Sequence, residues 1–340
     1  VLDGYPAEDL VRKPAFCQKA FSAIEELASQ TKDGPAMIVG APLMKQGVVY
    51  NTSFFLQDGV IAETRFKHHL PNYGVFDEKR VFEAGPMPQP IQFGDMCLGL
   101  MTCEDMWFPD VSAHLVDAGA DILIAPHGSP FAINKKDERI LHGQARVKET
   151  SVPLVMNNLV GGQDELVFDG TSFVLNGAGD LVAQLPSFHQ AMQHSVFEKG
   201  DHGWQPQKGD ISTRLDEDAE LYQALMLGLR DYVTKNRFPG VLVGLSGGVD
   251  SALTVALAVD ALGPEKVRSV MMPSRYTSQE SLDDASDCAK ALGIRLDSID
   301  IEPMVAAFGE ALTPLYEGRA ADTTEENIQA RIRGINLMAL

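Results

Sequence analysis

The sequence is poor in cysteine, with 4 in 340 residues. Cys17, Cys97, Cys103 and Cys288 show no metal-ligand spacing and are too few for a disulfide framework, which points to a reducing, cytoplasmic setting. Positive charge is equally scarce. Lys and Arg number 28 against 47 Asp and Glu, a formal net charge of −19. Such a surface repels phosphate backbones and anionic lipid, so nucleic acid and membrane are excluded as expected partners. A phosphate-bearing ligand then needs a local site of backbone amides and a few cations. No apolar run approaches membrane-spanning length, no basic-then-apolar leader opens the sequence, and neither internal repeats nor low-complexity tracts occur. The sequence opens on Val1 and the turn-like Asp3-Gly4-Tyr5-Pro6, and it stops at Leu340 inside an expected helix. Both features suggest that the natural protein extends further.

What is present is the balance of a globular chain, 45% hydrophobic and 22% charged, over a length that suits two domains. Residues 36–43, 47–56 and 60–66 read as strands, the last two joined by an Asp58-Gly59 hairpin turn. A hairpin and buried strand over 91–102 lead into Cys103-Glu104-Asp105. A helix (111–118), a strand (121–125), a helix (135–150), a strand (152–158) and a hairpin (170–183) follow. Hairpins mixed with β-α-β units predict layered sheets flanked by helices. Residues 188–215 are polar and aperiodic and read as a linker between a first domain, 1–187, and a second, 216–340. The second domain opens with a helix (216–235). Strands over 241–245, 267–272 and 294–301 then alternate with helices over 251–262 and 279–292, which predicts a Rossmann-like parallel sheet.

Gly244-Leu245-Ser246-Gly247-Gly248-Val249-Asp250-Ser251 joins an apolar strand to a helix. Glycines let the backbone turn tightly and bring amides against an anion, and the following helix adds its positive dipole end. Ser246 and Ser251 supply hydroxyls, and Asp250 is the candidate ligand for Mg²⁺ against phosphates. The segment is neither a Walker loop nor a Gly-x-Gly-x-x-Gly fingerprint. In the first domain, Cys103 ends an apolar strand ahead of a helix start, where a dipole acidifies a thiol into a nucleophilic thiolate. His68 and His69 read as packing or hydrogen-bonding residues, because no further ligand cluster accompanies them in the sequence.

These segments carry resemblances. The loop 244–251 resembles the pyrophosphate-binding loop of the ATP pyrophosphatase superfamily. The segment 272–278, beginning at Met272, and the segment 325–334 resemble NAD⁺ synthetases, implying that Met272 lies near ATP and that Asn327 and Arg331 lie near the deamido-NAD⁺ substrate. Arg65–Tyr73 and Cys103-Glu104-Asp105 resemble the lysine and nucleophile segments of the nitrilase superfamily. That resemblance implies Cys103 as nucleophile, Lys67 as oxyanion partner and Glu78 as a supporting glutamate. It also implies Tyr73, Glu104, Ser129 and Lys135 as candidates for gripping glutamine. The family's general-base glutamate and its first strand–helix–strand are expected just ahead of Val1.

Taken together, the chain resembles the glutamine-dependent NAD⁺ synthetase family. The fold implied is a nitrilase-like α-β-β-α sandwich followed by an incomplete ATP-pyrophosphatase-type Rossmann-like sheet. The activity implied is ATP- and Mg²⁺-dependent amidation of deamido-NAD⁺ with ammonia from glutamine, in a homo-oligomer acting on small molecules. The alternatives are another amidotransferase of the ATP pyrophosphatase superfamily, or an inert binding fragment.

Overall fold

The computed structural model describes residues 2–315 and 323–340. Two compact units emerge, residues 1–224 and 225–340.

The first unit begins with helix α1 (Pro14–Gln30) and three antiparallel strands, β1 (Met37–Lys45), β2 (Val48–Gln57) and β3 (Val60–Phe66), in the order β1-β2-β3. Strands β4 (Ile91–Phe93) and β5 (Met96–Leu100), helix α2 (Pro109–Asp117), strand β6 (Ile122–His127), helix α3 (Lys135–Thr150) and strand β7 (Leu154–Asn158) follow. Next come β8 (Val160–Gln163), β9 (Leu166–Asp169), β10 (Phe173–Leu175) and β11 (Leu181–Gln184). A six-stranded sheet has the order β11-β10-β7-β6-β5-β4, with β5, β6 and β7 parallel at its centre.

Alternation along the strands decides the layering. On β2, Phe54 and Leu56 pack with Ile24 and Ala28 of α1, while Phe55 between them joins Ile91, Leu98, Leu100 and Ile122 of the other sheet. On β6, Leu123 and Ala125 point the opposite way to Ile122 and pack with Val111 and Leu115 of α2 and Val147 of α3. Both sheets are therefore covered on both faces, giving helix, sheet, sheet, helix.

Helix α1 was not anticipated from the sequence, although its buried face (Cys17, Ala20, Ile24, Ala28) repeats at three and four. The β8–β9 hairpin was also unread. Within 188–215, strands β12 (Phe197–Gly200) and β13 (Gly203–Pro206) form a hairpin, and Phe188 is buried.

Helix α4 (Glu217–Lys235) crosses the division between the units. The second unit continues with β14 (Val241–Gly244), α5 (Val249–Leu262), β15 (Val267–Met271), α6 (Gln279–Leu292), β16 (Arg295–Ser298), α7 (Glu302–Leu312) and α8 (Thr323–Ala339). Strands β14, β15 and β16 pair in parallel in that order. The third strand is shorter than its apolar run suggests, and α7 is an addition to the expected elements. Buried Val255, Ala258 and Leu262 of α5 meet Ala285 and Ala289 of α6 over Val267. Among the described residues, no helix is long and apolar enough to cross a membrane.

Ile24 is fully buried between α1 and β2. Truncation there leaves a cavity, and Ile24→Ala should destabilise the first unit by about 2–5 kcal/mol. Urea denaturation should show that unit's transition at lower denaturant, with the second unit's transition unmoved.

Candidate active site

Three chemical groups meet where the first unit's two sheets adjoin. Lys67 follows the end of β3, and its backbone is fixed on both sides: its N–H donates to Asn51 O at 2.9 Å, and its carbonyl accepts from Gly85 N at 2.8 Å. Glu78 opens a single 3₁₀ turn, Glu78–Arg80. Lys67 Nζ stands 2.7 Å from Glu78 Oε2, with both residues at most 3% exposed. Asn51 Nδ2 donates to the other carboxylate oxygen at 2.9 Å, and the buried Tyr5 hydroxyl hydrogen-bonds the same carboxylate. Burial pushes the Lys67 ammonium toward neutrality, but the charge of Glu78 and the thiol of Cys103 reverse this, and the net direction is up. Lys67 is held charged.

Cys103 begins the 3₁₀ turn Cys103–Trp107 with φ +49°, a left-handed conformation that costs a non-glycine residue about 1–2 kcal/mol. Asp105, 1% exposed, stabilises this corner. Its carboxylate accepts from Thr102 N at 2.9 Å, His68 N at 3.1 Å and His69 N at 2.7 Å, tying the cysteine turn to the lysine segment.

The helix-dipole expectation for Cys103 needs correction. A five-residue 3₁₀ turn has little dipole, and burial pushes the Cys103 thiol up; Lys67 and the Gly128 backbone N–H pull it down only in part, while Glu78 and Glu104 add to the rise. The resting group is a neutral thiol. Gly128 follows β6 and packs so closely on the Tyr5 ring that an added Cβ would sit 3.1 Å from it. Its neighbour His127 is fully buried and neutral, held down to about 3 by burial.

The glutamine candidates fall into two groups. Tyr73 donates its hydroxyl to both oxygens of Glu104, at 3.0 and 3.1 Å, and the two line an open cleft of about 560 Å³ with His69, Pro71 and Phe108. Ser129 is buried: its N–H donates to Asn158 Oδ1 at 2.9 Å, and its carbonyl accepts from Asn158 Nδ2 at 3.0 Å and Arg139 Nη1 at 3.1 Å. Lys135 lies over the Trp107 ring, 4.2 Å from its centroid, and pairs with Glu138 at 2.9 Å. Tyr5, Asn51, Asp105 and Gly128 belong to this site but were not singled out from the sequence. His68 and His69 make the packing and hydrogen-bond contacts expected of them, His68 Nδ1 lying 2.7 Å from Gly85 O and His69 Nε2 2.9 Å from Asp110 Oδ1, and the fold places Asp110 beside both rings.

In the second unit, the glycine-rich loop leaves β14 and enters α5. Gly247 has φ +84°, and a Cβ there would meet Ser281 O at 2.3 Å, so only glycine fits. Ser246 and Ser251 hydroxyls lie 3.1 Å apart, Ser246 Oγ accepts from Gly248 N at 3.3 Å, and Ser251 Oγ donates to Gly248 O at 2.9 Å. Gly244, Leu245, Ser246 and Met272 line a cleft of about 450 Å³ with Pro273, Arg333 and Leu337. Val249 and Asp250 are exposed on the first turn of α5. Asn327 and Arg331 are exposed on α8 and outside that lining, whereas Arg333 donates to Met272 O at 3.2 Å. The side chain of Glu325 lies outside the described residues.

The carbon–nitrogen hydrolase family model matches residues 12–193, and the NAD synthase model matches residues 221–340. A glutamine-dependent NAD(+) synthetase of Rhodobacter capsulatus is 48% identical over 339 residues, covering 100% of this chain and 61% of the relative. The solved glutamine-dependent NAD+ synthetase of Acinetobacter baumannii, in complex with adenosine diphosphate, is 39% identical with a TM-score of 0.93, over 99% of this chain and 63% of that one. A glutamine-dependent NAD(+) synthetase from Cytophaga hutchinsonii shares the fold at 21% identity and a TM-score of 0.81, over 99% of this chain and 64% of the other. The chain thus spans about three-fifths of the length of the relatives it matches.

Because the Cys103 thiol is raised, alkylation at that residue should accelerate with pH through a midpoint above the ordinary thiol range. Lys67→Met removes the cation that favours the thiolate, so the midpoint should move higher still. Iodoacetamide labelling rates followed by peptide mass spectrometry measure both, and a pH-independent rate near neutrality would contradict the neutral resting thiol.

Proposed function

We propose, for a chain that belongs to the carbon–nitrogen hydrolase family through residues 12–193 and joins to it an NAD synthase segment, that it works as a glutamine-hydrolysing NAD⁺ synthetase. The observation that carries the first half of this reading is the buried Lys67–Glu78 pair beside Cys103. A thiol there attacks the side-chain carboxamide carbon of glutamine once its proton is removed. Lys67, charged and almost without water, stands to stabilise the developing oxyanion, together with the Gly128 N–H. Collapse releases ammonia and leaves a glutamyl thioester, which water cleaves to glutamate. Glu78 keeps Lys67 charged and in place. The Tyr73–Glu104 pair offers an acceptor for the substrate's α-amine, and Lys135 and Ser129 offer partners for its α-carboxylate.

The second half rests on the loop 244–251. Its strand-to-helix turn, its paired hydroxyls and a glycine that no side chain can replace suit the phosphates of ATP. Asp250, exposed at the start of α5, is the carboxylate that would hold Mg²⁺, which when bound neutralises phosphate charge. Met272 and the cleft beside Gly244 suit the adenosine portion, and Asn327 and Arg331 are assigned to deamido-NAD⁺. The nicotinate carboxylate is adenylated with loss of pyrophosphate, and ammonia displaces AMP to give NAD⁺. A cytoplasmic homo-oligomer acting on small molecules completes the proposal.

In a protein of the relatives' full length, Cys103→Ala should abolish synthesis from glutamine while largely preserving synthesis from ammonium. Equal loss of both would argue against separate sites. Lys67→Met should lower glutamate release by about 100- to 1,000-fold, as for loss of one oxyanion donor; a fall below about tenfold would remove Lys67 from the chemistry.

Asp250→Asn should weaken magnesium-dependent ATP turnover and spare glutamate release, and Gly247→Val should eliminate ATP binding in calorimetric titration. Unchanged affinity in Gly247→Val, or ADP as the parent's product, would overturn the assignment of the loop.

A further inference from the structure

We propose that His68, His69 and Asp110 form a binding site for a divalent first-row transition ion such as Zn²⁺, at the rim of the cleft that holds Tyr73 and Glu104. The three side chains present ligand atoms that all lie within 4.8 Å of one another. Donors around a tetrahedral ion at Zn–N and Zn–O distances near 2.1 Å lie about 3.4 Å apart, so the widest pair has only about 1.4 Å to close. His69 Nε2 now hydrogen-bonds Asp110, 2.9 and 3.0 Å from its two oxygens, so an ion entering there takes the place of that proton and opens the pair to about 3.4 Å.

The supports around this trio are those of a metal centre. His68 Nδ1 lies 2.7 Å from Gly85 O, the contact that turns its Nε2 into the free ligand nitrogen. The backbone N–H groups of both histidines are held by the buried Asp105 carboxylate, at 3.1 and 2.7 Å, so the two rings start from a fixed position. The rings meet edge to face, centroids 4.8 Å apart, and Phe108 packs against His69 at 4.4 Å, giving the trio an apolar flank. Among the described residues that line the neighbouring cleft, Lys79 is the one cation, against the carboxylates of Glu83 and Glu104.

Two imidazoles and one carboxylate match the ligand preferences of Zn²⁺, Co²⁺ and Ni²⁺, whereas Mg²⁺ and Ca²⁺ select oxygen. Three protein ligands leave one position open, and His68 and His69 both face the cleft. An ion held there can accept a carboxylate or a water from that side. The thiol of Cys103 is not part of the trio.

The test is titration of the protein with Co²⁺ alone, followed by visible absorption, with Zn²⁺ competition read by calorimetry. One equivalent should bind and give ligand-field bands of a four- or five-coordinate ion without a thiolate charge-transfer band. Cys103→Ala should bind equally well. His69→Gln and Asp110→Asn should each weaken binding by at least about 100-fold, the upper end of what loss of a second-shell partner costs. Circular dichroism checks folding, and Asp110→Asn, which alters an exposed carboxylate, keeps the test decisive if the histidine variant is unstable. No saturable Co²⁺ binding, binding that survives both substitutions, or binding lost in Cys103→Ala would each overturn the proposal. The readout is metal binding and stands apart from the amidotransferase reading.

Discussion

A lysine and a glutamate can share a nearly waterless position only if each neutralises the other. Lys67 and Glu78 do so at 2.7 Å, and the geometry of the first unit's site follows from that contact. Removing one partner of such a pair leaves an uncompensated buried charge and typically costs about 3–5 kcal/mol. The pair also organises its surroundings. Asn51 and Tyr5 occupy the remaining positions on the carboxylate, and Cys103 lies within the field of both charges. A cation that stays charged without water is poorly screened, which makes it effective wherever negative charge develops beside it.

The groups flanking the pair stand on loops, yet the loops are not loose. Asp105 joins the cysteine turn to the lysine segment through three backbone N–H groups. Asn158 and Arg139 secure Ser129 from the opposite side, and Arg139 is itself buried against Asp169 and Thr171. The loop backbone groups satisfied in this way define one arrangement of the chain, because any other would orphan several of them at once. The positive φ of Cys103 is sustained by that over-determination.

Much of this could be read in the sequence where periodicity or chain continuity exposed it. The Asp58-Gly59 hairpin, the central strands of the six-stranded sheet and the β-α alternation of the second unit each show the period that their burial demands. Helix α1 carries its signal in Cys17, Ala20, Ile24 and Ala28, but alanines and a cysteine make a faint apolar stripe. The β8–β9 hairpin is obscured by Gly161 and Gly162, which add no side-chain pattern. Lys67, Glu78 and Cys103 lie in recognisable segments, and the fold brings them together. Tyr5, Asn51 and Gly128 meet them only through tertiary packing, and no local spacing announces that. The thiol's direction of shift was misjudged for the same reason: the dipole argument is local, whereas burial depends on the whole first unit.

Burial of the Cys103 thiol also bears on how the protein withstands oxidants. Peroxide attacks thiolates that it can reach, and sulfinic or sulfonic acids form only after that first attack. A residue kept protonated and 7% exposed offers neither the anion nor the access. At neutral pH an oxidant therefore meets little of the anion it attacks, and the same burial that holds the thiol protonated also limits its approach.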